Sequence, residues 1–455
     1  MKITVARKGG AISAMWGGLG IVLVAQYLLC LAGLEISDFG YSVEIVIMII
    51  LTGFSVRAIG GNYASLYLLF SSSFFLFICG RFIALFLGYE SDEGAFDLNW
   101  MTSYVANESA RNMTFLYLAL FVCSFNFFYF VRDYAHGFKG GVLKVNVPLI
   151  FLFVILFSII QIARSAGTLI VALQKGYEAI YTSQAGEYSA GSATLSIFFF
   201  VSVSLAFTTD RKWLRRLAIG LLILSAVLSL MAGARGGFVS MLLLLIWLYG
   251  RNRSVNFKKV LLFFLCVGGG LALAMQFSAR GGGHENLSAV QVPLAFIYSQ
   301  GVSLGVFSYS QTISAFPLPA YFQSLFPGAL FFLNLASNGV NLHDANFQNF
   351  LSWTADPGKY ELGFGLGWTL LSDLYVYSEG FLPIFIIFSG LCGAGLRWLD
   401  DRSLTSSMWA AVCVGLSSKL FMLPRSSIST IISFMVYFVI FYVLVRLGGG
   451  RGRRI

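Results

Sequence analysis

Residues 229–245 read SLMAGARGGFVSMLLLL, and one cation, Arg235, stands in an apolar run that extends from Leu217 to Tyr249. Read as a single spanning helix, the run would place a guanidinium at the centre of a bilayer, at a cost of about 3 kcal/mol on insertion scales. Read as two short arms joined by a glycine turn at 233–237, it places the same group at a membrane boundary, where the charge is solvated. The second reading decides the fold, because apolar runs of similar length recur from one end of the chain to the other.

Of the 455 residues, 58% are hydrophobic and 11% charged. A soluble domain carries about a quarter charged residues, so no part of this chain reads as one. The pattern is that of an all-α polytopic membrane protein forming one integral membrane domain over 1–455. About twelve spans are expected, roughly at 11–34, 41–59, 63–88, 112–131, 146–163, 193–209, 217–234, 237–250, 260–277, 380–396, 407–423 and 428–446. The first run follows Lys2, Arg7 and Lys8 but is longer than a signal core and lacks a clear small-residue cleavage site, so it reads as an anchor. The six cysteines lie inside apolar runs without metal-ligand spacing and read as packing residues.

The formal charge of +10 invites a nucleic-acid partner, but its distribution argues against one. With the N-terminus cytoplasmic, the basic clusters at Arg211–Lys212, Arg215–Arg216, Arg251–Arg253, Lys258–Lys259 and the tail 451–454 all fall on inner segments, and acidic residues gather on outer ones. That is the positive-inside rule, and it places both termini in the cytoplasm. Asp400–Asp401, beside Arg397 and Arg402, falls on the same inner side and reads as a topology signal rather than a metal-diphosphate site.

Three outer connections are long. Residues 90–111 are acidic and read as a lid or surface loop; 164–192 form a periplasmic loop. The largest, 278–379, contains PLPAYFQSLFPGALFFLNLA and is too apolar for a solvated loop, so re-entrant or interfacial helices are expected there. Long ordered connections usually carry function, which puts the active face outside.

Cations collect on that outer boundary. ProArgSerSer at 424–427 presents Arg425 with Lys419 shortly before it, SARGGG at 278–283 presents Arg280, and Arg164 ends the fifth span. Together with Arg235 they read either as arginines snorkelling to lipid phosphates or as a pocket for an anionic lipid headgroup, since guanidinium forks match phosphate oxygens in pairs. Arg81, inside the third span, is expected to snorkel outward or to pair with Glu44.

A second constellation lies in 341–380. His343 and Asp344 are adjacent, Asn346, Gln348, Trp353, Trp368 and Tyr375 combine amides with flat aromatic surfaces suited to a polyhydroxylated ligand, and Glu361 and Asp373 add carboxylates. His343, Asp344, Glu361 and Asp373 are the candidate general bases; His343 reads equally as a hydrogen-bonded structural residue. No second histidine or cysteine stands at metal spacing from His343, so no metal site is expected. GlyPheGlyLeuGly at 363–367 reads as a sharp loop-to-helix entry, not a dinucleotide fingerprint.

The turn GARGG, the exit SARGGG and the segment GFGLGWTLLSDLY at 363–375, set in this topology, resemble the Wzy-type O-antigen and oligosaccharide repeat-unit polymerases. The resemblance implies a fold similar to the lipid-linked C-type glycosyltransferases and a metal-independent, cofactor-free glycosyl transfer. It implies substrates carried on undecaprenyl diphosphate at the outer face of a bacterial cytoplasmic membrane, with a chain-length regulator protein as a further partner. Arginines of the two major outer loops act in some members, and here they map to Arg164 and Arg280; the arginine-to-glycine spacing of those members is not reproduced after either. The related lipopolysaccharide ligases carry a histidine, a polar residue and a spaced glycine pair. His343–Asp344 approaches that pattern, but Thr354 takes the first glycine position, so polymerase is the preferred reading. A lipid-linked oligosaccharide flippase is the rival class, and it would favour cations deep in several spans.

Overall fold

In hydrocarbon the backbone must satisfy its own N–H and C=O groups, so apolar runs of spanning length fold as helices. A computed structural model describes residues 2–131, 145–176, 179–180, 190–233, 235–251, 253, 255–256, 258–259, 262, 291–336 and 339–449. The helices are α1 (Lys2–Leu31), α2 (Asp38–Ala58), α3 (Leu66–Phe77), α4 (Gly80–Phe86), α5 (Glu108–Val131), α6 (Val147–Lys175), α7 (Ala190–Ala206), α8 (Lys212–Met231) and α9 (Arg235–Gly250). After these come α10 (Gln291–Gln300), α11 (Val302–Ser310), α12 (Leu318–Leu325), α13 (Ala329–Ala336), α14 (Phe347–Ala355), α15 (Pro357–Glu361), α16 (Leu370–Tyr377), α17 (Leu382–Thr405), α18 (Ser407–Leu420) and α19 (Ser429–Gly449). Short 3-10 turns cover Leu342–Ala345 and Leu423–Arg425.

Among the described residues eight helices are long and apolar enough to cross a membrane: α1, α2, α5, α6, α8, α17, α18 and α19. The chain is a polytopic helical membrane protein. The expected third span, 63–88, is broken: α3 and α4 bend by 73°. The expected spans at 193–209 and 237–250 fold as shorter apolar helices, and the expected span at 260–277 lies outside the described residues. The fifth span does not end at Arg164, because Leu169, Ile170, Val171 and Leu173 keep the helix apolar as far as Lys175.

Helix α5 is the centre of the bundle, packed between α1 and α17. Its Phe121, Phe125 and Tyr129 face Phe74, Phe70 and Tyr67 of α3, with ring centres 4.7, 5.3 and 4.1 Å apart. Ile21 of α1, Ile159 of α6 and Leu447 of α19 are each more than 60% exposed, as lipid-facing side chains are. At one end, residues 88–107, 291–336 and 339–381 fold over the helices as a cap with its own core, in which Leu98 and Met101 meet Val306, Ala320, Phe347, Leu351, Leu366 and Trp368.

The break in the third span has a physical cause in Arg81. The residue is 3% exposed. It donates to the carbonyls of Gly94 (3.1 Å) and Asp97 (2.6 Å), pairs with Glu93 (3.0 Å), and lies 5.0 Å from the centre of the Tyr298 ring. The bend turns this guanidinium toward residues 93–97, which supply its partners. The expected partner Glu44 is elsewhere, accepting from Gln26 at 2.7 Å. Helix α10 crosses α4 closely enough that a Cβ at Gly301 would lie 2.3 Å from the Arg81 backbone nitrogen.

Candidate functional site

Five helices, α6 to α9 and α18, enclose a cavity of about 150 Å3 near the capped end. Its apolar wall includes Phe200, Leu222 and Leu244, and its polar wall is made of Gln161, Ser225, Ser229, Ser240, Ser417 and Ser418. Serine is tolerated in a spanning helix because its hydroxyl donates back to its own helix. Ser229 does so to the Ser225 carbonyl (2.9 Å) and Ser417 to that of Val414 (2.7 Å). The oxygen lone pairs remain as acceptors toward the cavity. Ser240 differs: it is 1% exposed, and its Oγ has no hydrogen-bond partner among the described residues.

The cation-bearing segments expected from sequence gather around this cavity. Arg235 opens α9, two residues before Gly237 in the cavity wall; its backbone is described and its side chain is not. A Cβ on Gly236 would lie 2.8 Å from the Met422 methyl, so the start of α9 rests against the turn that carries Arg425. Arg425 Nη1 reaches Gln300 Oε1 of α10 at 3.5 Å. Lys419 follows the wall residue Ser418, and its ammonium lies 5.6 Å from the centre of the Phe200 ring. Arg164 donates to Ser196 (3.1 Å), which donates to Gln161 (3.1 Å) in the wall. The extension of α6 past Arg164 roofs the turn before Arg235, with Ala172 and Leu169 packed on Ala232. Arg280 and His284 lie outside the described residues.

The turn with Arg425 is held from the cap. Asp373, in α16, is 0% exposed and accepts from Trp368 Nε1 (2.7 Å), Ser427 Oγ (3.3 Å) and the backbone N–H of Ile428 (2.6 Å). Desolvation pushes its carboxyl up to about 7, against the three hydrogen bonds, which favour the charged form. Trp368 is itself buried and acts as the strut of this clasp, and Tyr375 packs edge-on against Tyr117 at 5.1 Å. As placed, both rings face protein.

His343, Asp344 and Trp353 form a separate cluster in the cap. The imidazole stacks on the Trp353 ring, centres 4.3 Å apart and 7° from parallel, with Nε2 3.6 Å from Asp344 Oδ1. Asn346 caps α14 by accepting from the Asn349 backbone at 2.8 Å, while Gln348 and Glu361 are exposed. Among the described residues no three His, Cys, Asp or Glu side chains meet as a metal-binding group.

Sequence reasoning missed the serine wall and the two glutamines, Gln161 and Gln300. The available signal was the recurrence of hydroxyls one turn apart, Ser225 and Ser229, beside the paired Ser417 and Ser418, in otherwise apolar helices.

No curated protein and no solved structure matches the chain. The family model described as O-antigen polysaccharide polymerase Wzy matches residues 19–449, taking in the cavity, the cap and both arginine turns. With nearly its whole length matched, the chain belongs to the O-antigen polysaccharide polymerase Wzy family.

Proposed function

We propose that the serine-walled cavity and its surrounding cations hold the diphosphate of an undecaprenyl-linked donor at the extracytoplasmic face, and that the cap holds the glycan. Polymerisation of O-antigen repeat units from lipid-linked oligosaccharides is the activity of the family. In the proposed step a sugar hydroxyl of the acceptor attacks the anomeric carbon of the donor glycan. A carbon–oxygen bond forms, the bond to the diphosphate breaks, and lipid diphosphate leaves with the electron pair. Negative charge grows on the leaving group, and fixed cations and donors stabilise that charge without a metal ion. Arg235, Arg425, Lys419 and Arg164 take this role, with Arg280 as a further contact.

The attacking hydroxyl must lose a proton. His343, steadied by Asp344 and stacked on Trp353, is the candidate base, and Glu361 is the exposed alternative. Asn346, Gln348 and Trp353 border the glycan path. Asp373 acts as a positioning residue: its carboxyl holds the Ser427–Ile428 end of the turn that presents Arg425.

The observation that carries this reading is the contact between Gly236 and Met422, which joins two arginine turns nearly two hundred residues apart in sequence over one cavity. Replacing Arg425 and Lys419 by Gln, singly, tests it. Each loss of a donor to the leaving group should cost about 10²–10³ in rate. Surface glycan should then collapse to single repeats with the protein still inserted at normal abundance. Normal polymer length in both variants overturns the assignment, and transbilayer movement of lipid-linked repeats without elongation by the purified protein would make it a flippase.

A further inference from the structure

A second cavity, of about 390 Å3, opens at the other end of the bundle. Asp400 lines it, and lies eighteen residues along α17 from Leu382, about 27 Å from the cap. It is thus separate from the site proposed above and independent of that reading.

Its charges do not balance. Both of its carboxylates are already engaged. Asp400 accepts from the backbone of Leu66 (2.9 Å) and Tyr67 (3.1 Å) and from the Tyr129 hydroxyl (2.9 Å), so it caps the start of α3. Asp401 pairs with Arg397 at 3.2 Å. Two further guanidinium groups line the cavity, those of Arg251 and Arg253, and neither forms an ion pair among the described residues. Arg251 donates to the Ser403 carbonyl and lies against the Trp247 ring at 5.9 Å, while its Nε is buried with no hydrogen-bond partner among the described residues. Arg253 lies over the Tyr249 ring at 5.1 Å. Aromatic walls lower the local dielectric and strengthen any charge-assisted hydrogen bond made there. Guanidinium forks match the paired oxygens of a phosphate, and a cavity lined by Arg251, Arg253 and Arg397 against Asp400 and Asp401 carries a net positive charge that concentrates anions.

We infer that this cavity binds a phosphate-bearing anion through Arg251 and Arg253. The source is either the headgroup of an anionic phospholipid in the leaflet bordering this end or free phosphate.

The test is calorimetric titration of the purified full-length chain with short-chain dihexanoyl phosphatidylglycerol and, separately, with inorganic phosphate. One saturable site per chain is expected for at least one of them. Saturation by the lipid alone identifies a headgroup site, and saturation by phosphate with competition between the two identifies a phosphate site. Arg251→Gln and Arg253→Gln should each weaken binding at least about tenfold, as loss of a charge-assisted bond does. Arg253 is exposed, so its replacement leaves folding intact and keeps the test decisive if Arg251→Gln unfolds. Arg402→Gln removes an equal charge from an exposed neighbouring position and should leave binding unchanged. No saturable binding to the unmodified chain, undiminished binding in Arg253→Gln, or equal weakening by Arg402→Gln overturns the inference.

Discussion

Replacing Asp373 should alter the pH dependence of stability as well as its magnitude. The carboxyl is fully buried and raised from 3.8 to about 7, which corresponds to about 4 kcal/mol favouring its neutral form in the folded chain. With the folded value above the unfolded one, the contribution is fully present below pH 3.8 and is lost as pH rises through about 7. Between pH 5 and pH 7 the loss is about 2 kcal/mol. Asp373→Asn keeps the shape but cannot ionise, so this slope should vanish. The amide also turns one acceptor into a donor, beside Trp368, Ser427 and Ile428, which all donate to Asp373. That mismatch should cost about 1–3 kcal/mol at pH 5, and the deficit against the unmodified chain should shrink toward pH 8. Asp373→Ala leaves three donors without their acceptor, the buried Trp368 indole among them, and should cost more at every pH.

The assay is thermal unfolding of detergent-purified protein at pH 5, 6, 7 and 8, followed by loss of the folded peak on gel filtration. Equal pH slopes for the unmodified chain and Asp373→Asn would refute the buried-carboxyl argument. A polymerisation readout separates the clasp from bulk stability. If Asp373 acts by positioning Arg425, the effects of Asp373→Asn and Arg425→Gln should be non-additive, as they are for residues in one network. Full additivity would leave Asp373 a fold residue only.

Ser240→Val should leave thermal stability unchanged or slightly higher, because the hydroxyl it removes is buried without a hydrogen-bond partner among the described residues, while polymer length falls; unaltered polymer would detach the cavity from the reaction. Gly301→Ala puts a methyl 2.3 Å from the Arg81 backbone nitrogen and should cost about 1–3 kcal/mol by overpacking, read as a lower midpoint in the same unfolding assay.

How much of this was legible beforehand follows from the range of each interaction. Spanning helices announce themselves locally, through apolar length and flanking charge, and eight of the expected spans fold as long helices. The break at Ile78–Cys79 was hidden because Arg81 takes its partners from residues 93–97 and 298, and no local pattern in 63–88 records that choice. Arg164 looked like a span end because a charge followed an apolar run, yet the helix continues on the apolar residues beyond it. In the cap, residue types suggested a sugar-binding surface, but Trp368 and Asp373 bond each other in the interior. Composition shows what a side chain can do and not what it meets.

The turn of the opening stretch, where α9 begins, is set by a helix shorter than its neighbours. At 1.5 Å per residue the sixteen residues of α9 rise about 24 Å, short of a hydrocarbon layer of about 30 Å, while the twenty-nine of α6 rise about 44 Å. Only α9 is short, since the twenty residues of α8 rise about 30 Å, and the turn where α9 begins lies below the level α6 reaches. Protein fills the difference, through the α6 extension packed on Ala232 and the 422–425 turn packed on Gly236. In a recess of this kind a phosphate gains more from a fixed cation than it does at an open surface. Lengthening α9 by one helical turn of leucines within 241–245 would lift Arg235 by about 5 Å. Polymerisation should then fail although every candidate side chain is retained; unchanged polymer would show that the depth of the turn is irrelevant.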